Sequence, residues 1–444
     1  MHHNRTQAAV AADVKRQSGG STFLPQMLQQ LLANNRAVIS AYLSMISGSA
    51  GRLVLSLLYF ISIANTLSIA DFGLFATASA AGIMISRVLA FGFVSPLYRV
   101  ATVKPHLVGT YVAGFLAGAA VSLPLIAGLA LIVFYSVFDR DMRLPVFLAF
   151  MVAEIVCWRS MEVVVIVLNG LGRFGRGALL VIVSTGIRTV AAVLFSLSPL
   201  SSLADWSVIY LAANAIGLCF SLIWFFPAMR LRWRPRLYLR RWTDSVSVAG
   251  AEVLFYVQSE FDKIVVLAIG GPAVSGVYAI IMRLADLTAL PVRSFNTLLV
   301  QKIMRTPRSM DSLRLRGAIE LVVFLVSTLG IAAMAVYLHI FPAGLGRNVA
   351  DIAPLVPLVL LVPAFRNLIE YHSELLYATG LTVRRMIILV IVGAAKAAFL
   401  AALMASTGNA QVWAPLLNGL YLVLYALSAA LAYTALRHRR HRVI

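Results

Sequence analysis

Twelve stretches of about 20 or more mainly apolar residues decide what this chain is, because each is long enough to cross a hydrocarbon core of about 30 Å as an α-helix. They lie at 41–66, 71–97, 108–135, 145–169, 177–198 and 206–227, then at 246–269, 274–301, 318–341, 353–378, 386–406 and 412–435. The connections are short, and no part of the 444 residues is left over for a soluble domain. Composition agrees: 61% of residues are hydrophobic and 12% charged, against about 45–50% and about 25% in soluble domains. Soluble enzymes, disordered chains and disulfide scaffolds are excluded. The expected fold is an all-α polytopic membrane protein, with about 12 transmembrane helices in two six-helix lobes around a central cavity.

Lysine and arginine number 37 against 17 acids, a net charge of +20. Basic residues in short loops orient a membrane protein. With both termini inside, the cytoplasmic segments hold 25 of them and the outer loops only Arg140, Arg143 and Arg347. Both termini are therefore expected in the cytoplasm of a multi-pass inner-membrane protein. The spans contain nine basic and nine acidic residues, so the surplus belongs to topology and to the anionic inner leaflet. Nucleic acid is not an expected partner. The division is a tail at 1–40, an N-lobe at 41–227, a basic linker at 228–245, a C-lobe at 246–435 and a basic tail at 436–444. Within the first tail, Phe23, Met27 and Leu31 share one helical side, which fits either an interfacial helix or a tail ordered only near the membrane. No apolar core suited to a cleaved signal peptide precedes the first span, which is expected to act as the insertion signal. Cys157 and Cys219 lie in apolar runs and read as small packing residues.

The halves repeat each other. ADFGLFA (70–76) aligns with AVSGVYA (273–279) at an offset of 203, and LNGLGRFGR (168–176) with LYATGLTVR (376–384) at 208. Gly73 thus matches Gly276, Gly172 matches Gly380, and Arg176 matches Arg384. Six helices per repeat is an even number, so the halves face the same way about an axis along the membrane normal. The stretch LSIADFGLFATASAAGIMISRVLAFGFVSPLYR, and later QSEFDKIVVLAIGGPAVSGVYAIIMRLADLTALP, resembles the bacterial polysaccharide-transport flippases of the O-antigen and exopolysaccharide type. Their superfamily also holds the multidrug and toxin extrusion transporters. The resemblance rests on Asp71-Phe72-Gly73-Leu74 and on Asp262-Lys263 ahead of Gly276-Val277-Tyr278-Ala279. It implies a two-lobed transporter that moves undecaprenyl-diphosphate-linked oligosaccharides from the cytoplasmic to the periplasmic leaflet by alternating access. The implied partners are that polyprenyl-linked glycan, anionic membrane lipids and the polymerase and export machinery of surface polysaccharide. Peptidoglycan-precursor flippases of the same superfamily have two further helices, which the chain lacks.

A charge in mid-membrane costs at least about 2.5–3.5 kcal/mol, so it needs a partner or a wet cavity. The cations Arg52, Arg87, Arg159, Arg188, Arg283 and Arg366 are candidates for gripping a lipid diphosphate, since a planar guanidinium binds phosphate oxygens bidentately and stays charged. Internal ion pairing competes with this reading. Arg159 with Glu162 and Arg283 with Asp286 stand at i,i+3, and Arg366, Glu370 and Glu374 share one helical face. Arg52 and Arg188 have no acid within four residues. The first lobe carries four intramembrane cations against two acids, and the second five against seven. An anionic head group is therefore expected on the first lobe. Glu252, Glu260 and Asp262 are candidates for binding H⁺ or Na⁺, or for lobe-to-lobe salt bridges.

Gly170-Leu171-Gly172-Arg173-Phe174-Gly175 spells a dinucleotide fingerprint, but its flanks are transmembrane and the next acid is Asp205. It reads as a tight turn whose Arg173 and Arg176 are in reach of lipid phosphate. Glu370, His372 and Glu374 do not share a helical face, so no metal site is expected, nor a cofactor or a catalytic residue. Two other functions compete with the flippase: a cation-coupled drug antiporter, which calls for an acidic aromatic cavity, and a membrane glycosyltransferase or polymerase, which usually needs a large extramembrane loop.

Overall fold

A computed structural model describes residues 36–240, 242–305 and 313–440. The amphipathic stretch proposed within the first tail lies almost wholly outside them. Contacts divide the chain after Ser49. The earlier unit is described only as the helical start of α1, and everything below concerns residues from Ala50 onward.

The described residues contain helices and turns and no strand. In chain order the first half has α1 (Arg36–Thr66), α2 (Ile69–Ser86), α3 (Val94–Val103), α4 (Val108–Val133), α5 (Leu144–Val152), α6 (Arg159–Gly170), α7 (Phe174–Leu197) and α8 (Leu203–Phe220). Single π turns at Phe134–Phe138, Ala153–Trp158 and Ser221–Phe225 extend α4, join α5 to α6 and extend α8. The short α9 (Pro235–Arg240) leads to α10 (Trp242–Thr288), α11 (Leu290–Arg305), α12 (Leu313–Ile340), α13 (Arg347–Ile352), α14 (Val362–Ala378), α15 (Thr382–Ser406) and α16 (Ala410–Arg440).

Every apolar stretch read from the sequence falls mainly on helical backbone. Among the described residues, eight helices are long and apolar enough to cross a membrane, or nine if the bent pair 347–359 and 362–378 is one span. Two features account for part of the distance from twelve: the first apolar run enters only as the shorter Gly51–Thr66, and α10 joins two apolar runs across a break at Gly271, whose φ is +77°. Side chains such as Val121, Ile132, Leu194, Ile223 and Leu329 project outward more than 60% exposed, as a surface facing lipid would require. This is a membrane-spanning all-helical fold.

The run 71–97 is not one helix. Ala90, Phe91 and Gly92 all take positive φ (55°, 49° and 72°), which ends α2 and restarts the chain as α3. For the two residues with a Cβ this costs about 1–2 kcal/mol each. Packing over-determines the break: the buried Ala90 N–H donates to Ser122 Oγ at 3.0 Å, and the Phe91 ring lies 4.7 Å from Trp242. At Gly92 a Cβ would fall 2.5 Å from the Ser245 carbonyl oxygen. The run 274–301 is likewise interrupted, at Ala289 before Pro291, whose ring disfavours the helical turn behind it.

Several equivalences bear out the repeat. Gly172 and Gly380 both take φ near +75° and close the same cap: the Arg173 N–H reaches Leu168 O at 2.8 Å and the Leu381 N–H reaches Leu376 O at 2.9 Å. Arg176 Nη2 donates to the Trp224 carbonyl at the end of its neighbour, and Arg384 Nη1 does the same to Ala435. Trp206 and Trp413, each the fourth residue of its helix, are fully buried. Alanine at Gly172 or Gly380 should therefore cost about 1 kcal/mol each, measured as a lower thermal midpoint in detergent. The turn containing Gly172 is a helix cap, and its Arg176 is spent on a carbonyl.

The halves meet chiefly where α2 packs on α10. There the matched glycines touch: a Cβ on Gly73 would collide with the Gly276 backbone, and one on Gly276 with the Ile69 carbonyl. Thr77 Oγ1 and Ser275 Oγ are 3.0 Å apart beside them. At the same end Asn348 Nδ2 donates to Ala64 O and Leu67 O, both at 2.7 Å, and its N–H donates to Asn65 Oδ1 at 3.1 Å.

Candidate functional site

The intramembrane charges separate into two kinds. Most are consumed by one another. Arg159, 1% exposed, reaches Glu162 at 2.7 Å and, across the halves, Glu252 at 2.9 Å. Arg87 also reaches Glu162 at 2.9 Å and lies 4.0 Å over the Tyr256 ring. Asp286 takes Arg293 at 3.1 Å and Arg366 at 3.2 Å, while Glu370 faces Arg293 at 3.5 Å. Glu260 is held by Lys263, Glu374 by Arg385 and Asp262 by Lys396. All three carboxylates considered for ion coupling, Glu252, Glu260 and Asp262, thus carry a cationic partner.

Helix-spacing rules found one of these pairs, Arg159 with Glu162. Glu260 and Lys263 also stand at i,i+3, on α10; most of the other pairs join different helices and carry no such signal. Arg283 does not turn to Asp286 on its own helix: its Nη2 donates to Ser56 Oγ of α1 at 2.6 Å. Arg366 turns to Asp286 rather than to Glu370.

The second kind is a small group of cations without a carboxylate. Among the described residues, Arg52, Arg188 and Arg283 form no ion pair. They come from α1, α7 and α10, and each is partly or fully accessible although it lies well inside a span. Arg188, Arg283 and Arg293 all lie close enough to Arg52 to act on its charge. The guanidinium of Arg188 rests 3.7 Å over the Trp158 ring, a contact that orients the fork without neutralising it. α7 is held against α1 here by Thr189 Oγ1, which donates to the Leu55 carbonyl at 3.0 Å. Like charges gathered at this spacing repel one another. The arrangement is a cluster of guanidiniums drawn from both halves, none of them ion-paired among the described residues.

Three side chains of this region have no signal in linear spacing. Trp158 and Tyr59 approach Arg188 only once α1, α7 and the α5–α6 rod are packed. Glu154, 2% exposed, accepts from Ser79 at 2.5 Å and Tyr210 at 2.6 Å through the same oxygen and forms no ion pair. Glu370, His372 and Glu374 diverge: His372 lies between Glu320 and Ser428. No group of three metal-ligating side chains occurs among the described residues.

Losing Glu162 should be costly, because two nearly buried guanidiniums share it. Glu162→Ala is expected to destabilise the protein by about 3 kcal/mol, the lower end for a broken buried pair since Glu162 is itself 30% exposed. A thermal midpoint in detergent within 1–2 °C of the unaltered chain, about what a neutral surface change gives, would contradict this.

Several solved structures share the fold. The chain superposes on the inward-facing conformation of a multidrug resistance MATE family transporter of the MOP superfamily with a TM-score of 0.62, at 13% identity, over 87% of this chain and 96% of that one. A MOP superfamily transporter from Pyrococcus furiosus, whose reverse polarity of binding pocket suggests a different function, gives 0.55 at 13% identity over 92% and 95%. The outward-facing conformation of a multidrug resistance MATE family transporter gives 0.50 at 13% identity, over 92% and 95%. No family model matches the sequence, and no curated protein matches it. The chain therefore has the two-lobed, all-helical fold of these transporters.

Proposed function

We propose that this chain is a flippase that carries polyprenyl-diphosphate-linked oligosaccharide repeat units across the cytoplasmic membrane, from the cytoplasmic to the periplasmic leaflet, for surface polysaccharide. The observation that carries it is the convergence of Arg52, Arg188 and Arg283, none of which forms an ion pair among the described residues. Such a site suits a diphosphate and disfavours a cationic drug. The diphosphate is drawn in by long-range attraction and gripped by guanidinium forks, and the glycan follows through the wet space between the lobes. With no nucleotide-binding motif in the sequence, the energy comes from an ion gradient or from removal of the flipped product.

The likeness to the inward-facing structure exceeds that to the outward-facing one, which supports a state loaded from the cytoplasm, the side on which this substrate is made. A drug antiporter is the competing reading, favoured by the similar structures that are multidrug transporters. Lipid extraction from a deletion strain separates the two. A polyprenyl-linked repeat unit should accumulate on the cytoplasmic side, with surface polysaccharide lost. Drug sensitivity with normal polysaccharide would instead support the antiporter.

A further inference from the structure

The repeat places Arg188 and Lys396 at one position: each is the fifteenth residue of its helix, α7 or α15. The helices they face are matched too. α1 meets α7 at Leu55, through Thr189, and α10 meets α15 at Gln258, where a Cβ on Gly393 would lie 3.5 Å from the Gln258 Cα. Leu55 and Gln258 correspond at the offset of 203. One helical turn further on, the halves diverge: α1 carries Tyr59 and α10 carries Asp262.

At this position only the second half has a carboxylate. Asp262, 2% exposed, lies 3.5 Å from Lys396 Nζ and accepts from Tyr278 at 2.8 Å. Tyr59 lies within range of the Arg188 charge but offers no carboxylate. Glu154 is also in range, yet it is engaged by Ser79 and Tyr210. Arg188 is left stacked on Trp158.

We infer that this repeat position determines which half holds the anion: Asp262 neutralises Lys396 internally, and Tyr59, by withholding a carboxylate, leaves Arg188 free for a diphosphate ester. Tyr59 is a specificity-determining residue that acts through Arg188. The inference rests on the flippase reading above and deepens it.

The test uses the purified full chain in detergent with farnesyl diphosphate as probe, followed by calorimetry. Tyr59→Asp should bind the probe at least tenfold more weakly than the neutral Tyr59→Asn, and equal affinity in the two variants would overturn the inference. A ligand-free arm reads the same contact. Arg188→Ala should lower the thermal midpoint more in the Tyr59→Asp background than in Tyr59→Asn, because only the former supplies an ion-pair partner. Equal shifts would show that residue 59 does not govern Arg188. If Tyr59→Asp does not fold, Asp262→Asn takes its place: freeing Lys396 should raise the amount of probe bound at saturation, and unchanged saturation overturns the inference. An unaltered chain that ignores farnesyl diphosphate but binds tetraphenylphosphonium would refute the flippase reading itself. The midpoint comparison would still report on Tyr59 and Arg188.

Discussion

Arg188→Ala is expected to abolish surface polysaccharide while leaving the amount of protein in the membrane unchanged. Arg188 contributes little to folding: among the described residues no carboxylate pairs with it, and its guanidinium lies over the Trp158 ring at 3.7 Å. Removing it also relieves repulsion with Arg52. What is lost is a bidentate grip on phosphate, about 3 kcal/mol or roughly 100-fold in affinity. Arg188→Lys should fall between the two, since an ammonium keeps the charge and loses both the fork and the flat face on Trp158. Arg52→Ala should behave like Arg188→Ala. The contrast with Arg159 is the informative part. Arg159 is buried against Glu162 and Glu252, so its loss should appear first as lost protein. Quantifying polysaccharide against membrane-fraction protein in each variant checks this.

The largest structural effect is expected at the crossing of the halves. Gly276→Val puts a side chain where the Ile69 carbonyl stands, and Gly73 opposite has no room to retreat because its own missing Cβ position is filled by the Gly276 backbone. Overpacking costs about 1–3 kcal/mol and occasionally more. Two backbones in direct contact have no side chain to move aside, so a value at or above about 3 kcal/mol is expected. Size-exclusion profiles of detergent extracts should show little monodisperse Gly276→Val protein. Gly128→Ala is the matched control: nothing lies within 4 Å of its Cβ position, and helix propensity favours alanine by about 1 kcal/mol.

How much of this was legible beforehand follows from the range of each interaction. Helix positions were readable because a span is written in consecutive apolar residues. The repeat was readable because equal turns demand equal glycines, as Gly172 and Gly380 show. The breaks at Ala90 and Phe91 were not, since neither residue favours positive φ and the forces holding them come from Ser122 and Trp242. Of the candidate site, Arg52 and Arg188 stood out because no acid lay within four residues, a local criterion that packing did not overturn. The same criterion mis-assigned Arg283 and Arg366: whether Asp286 serves one or the other depends on how α10, α11 and α14 come together. Arg87 and Arg159 read as cavity cations from the sequence, yet Glu162 engages both, Arg159 from its own helix and Arg87 from the end of α2. Tyr59 carried no signal at all until the halves were laid on one another.

The central claim is that this chain moves a diphosphate-linked lipid, and reconstitution tests it most directly. The purified protein in liposomes, loaded with a polyprenyl-diphosphate oligosaccharide in both leaflets, is treated from outside with an enzyme that modifies the glycan and cannot cross the bilayer. The account predicts that the whole lipid pool becomes modified with the unaltered chain, while with Arg188→Ala modification stops at about half, the share of one leaflet. Modification halting at half with the unaltered chain, or running to completion equally in both, would contradict it.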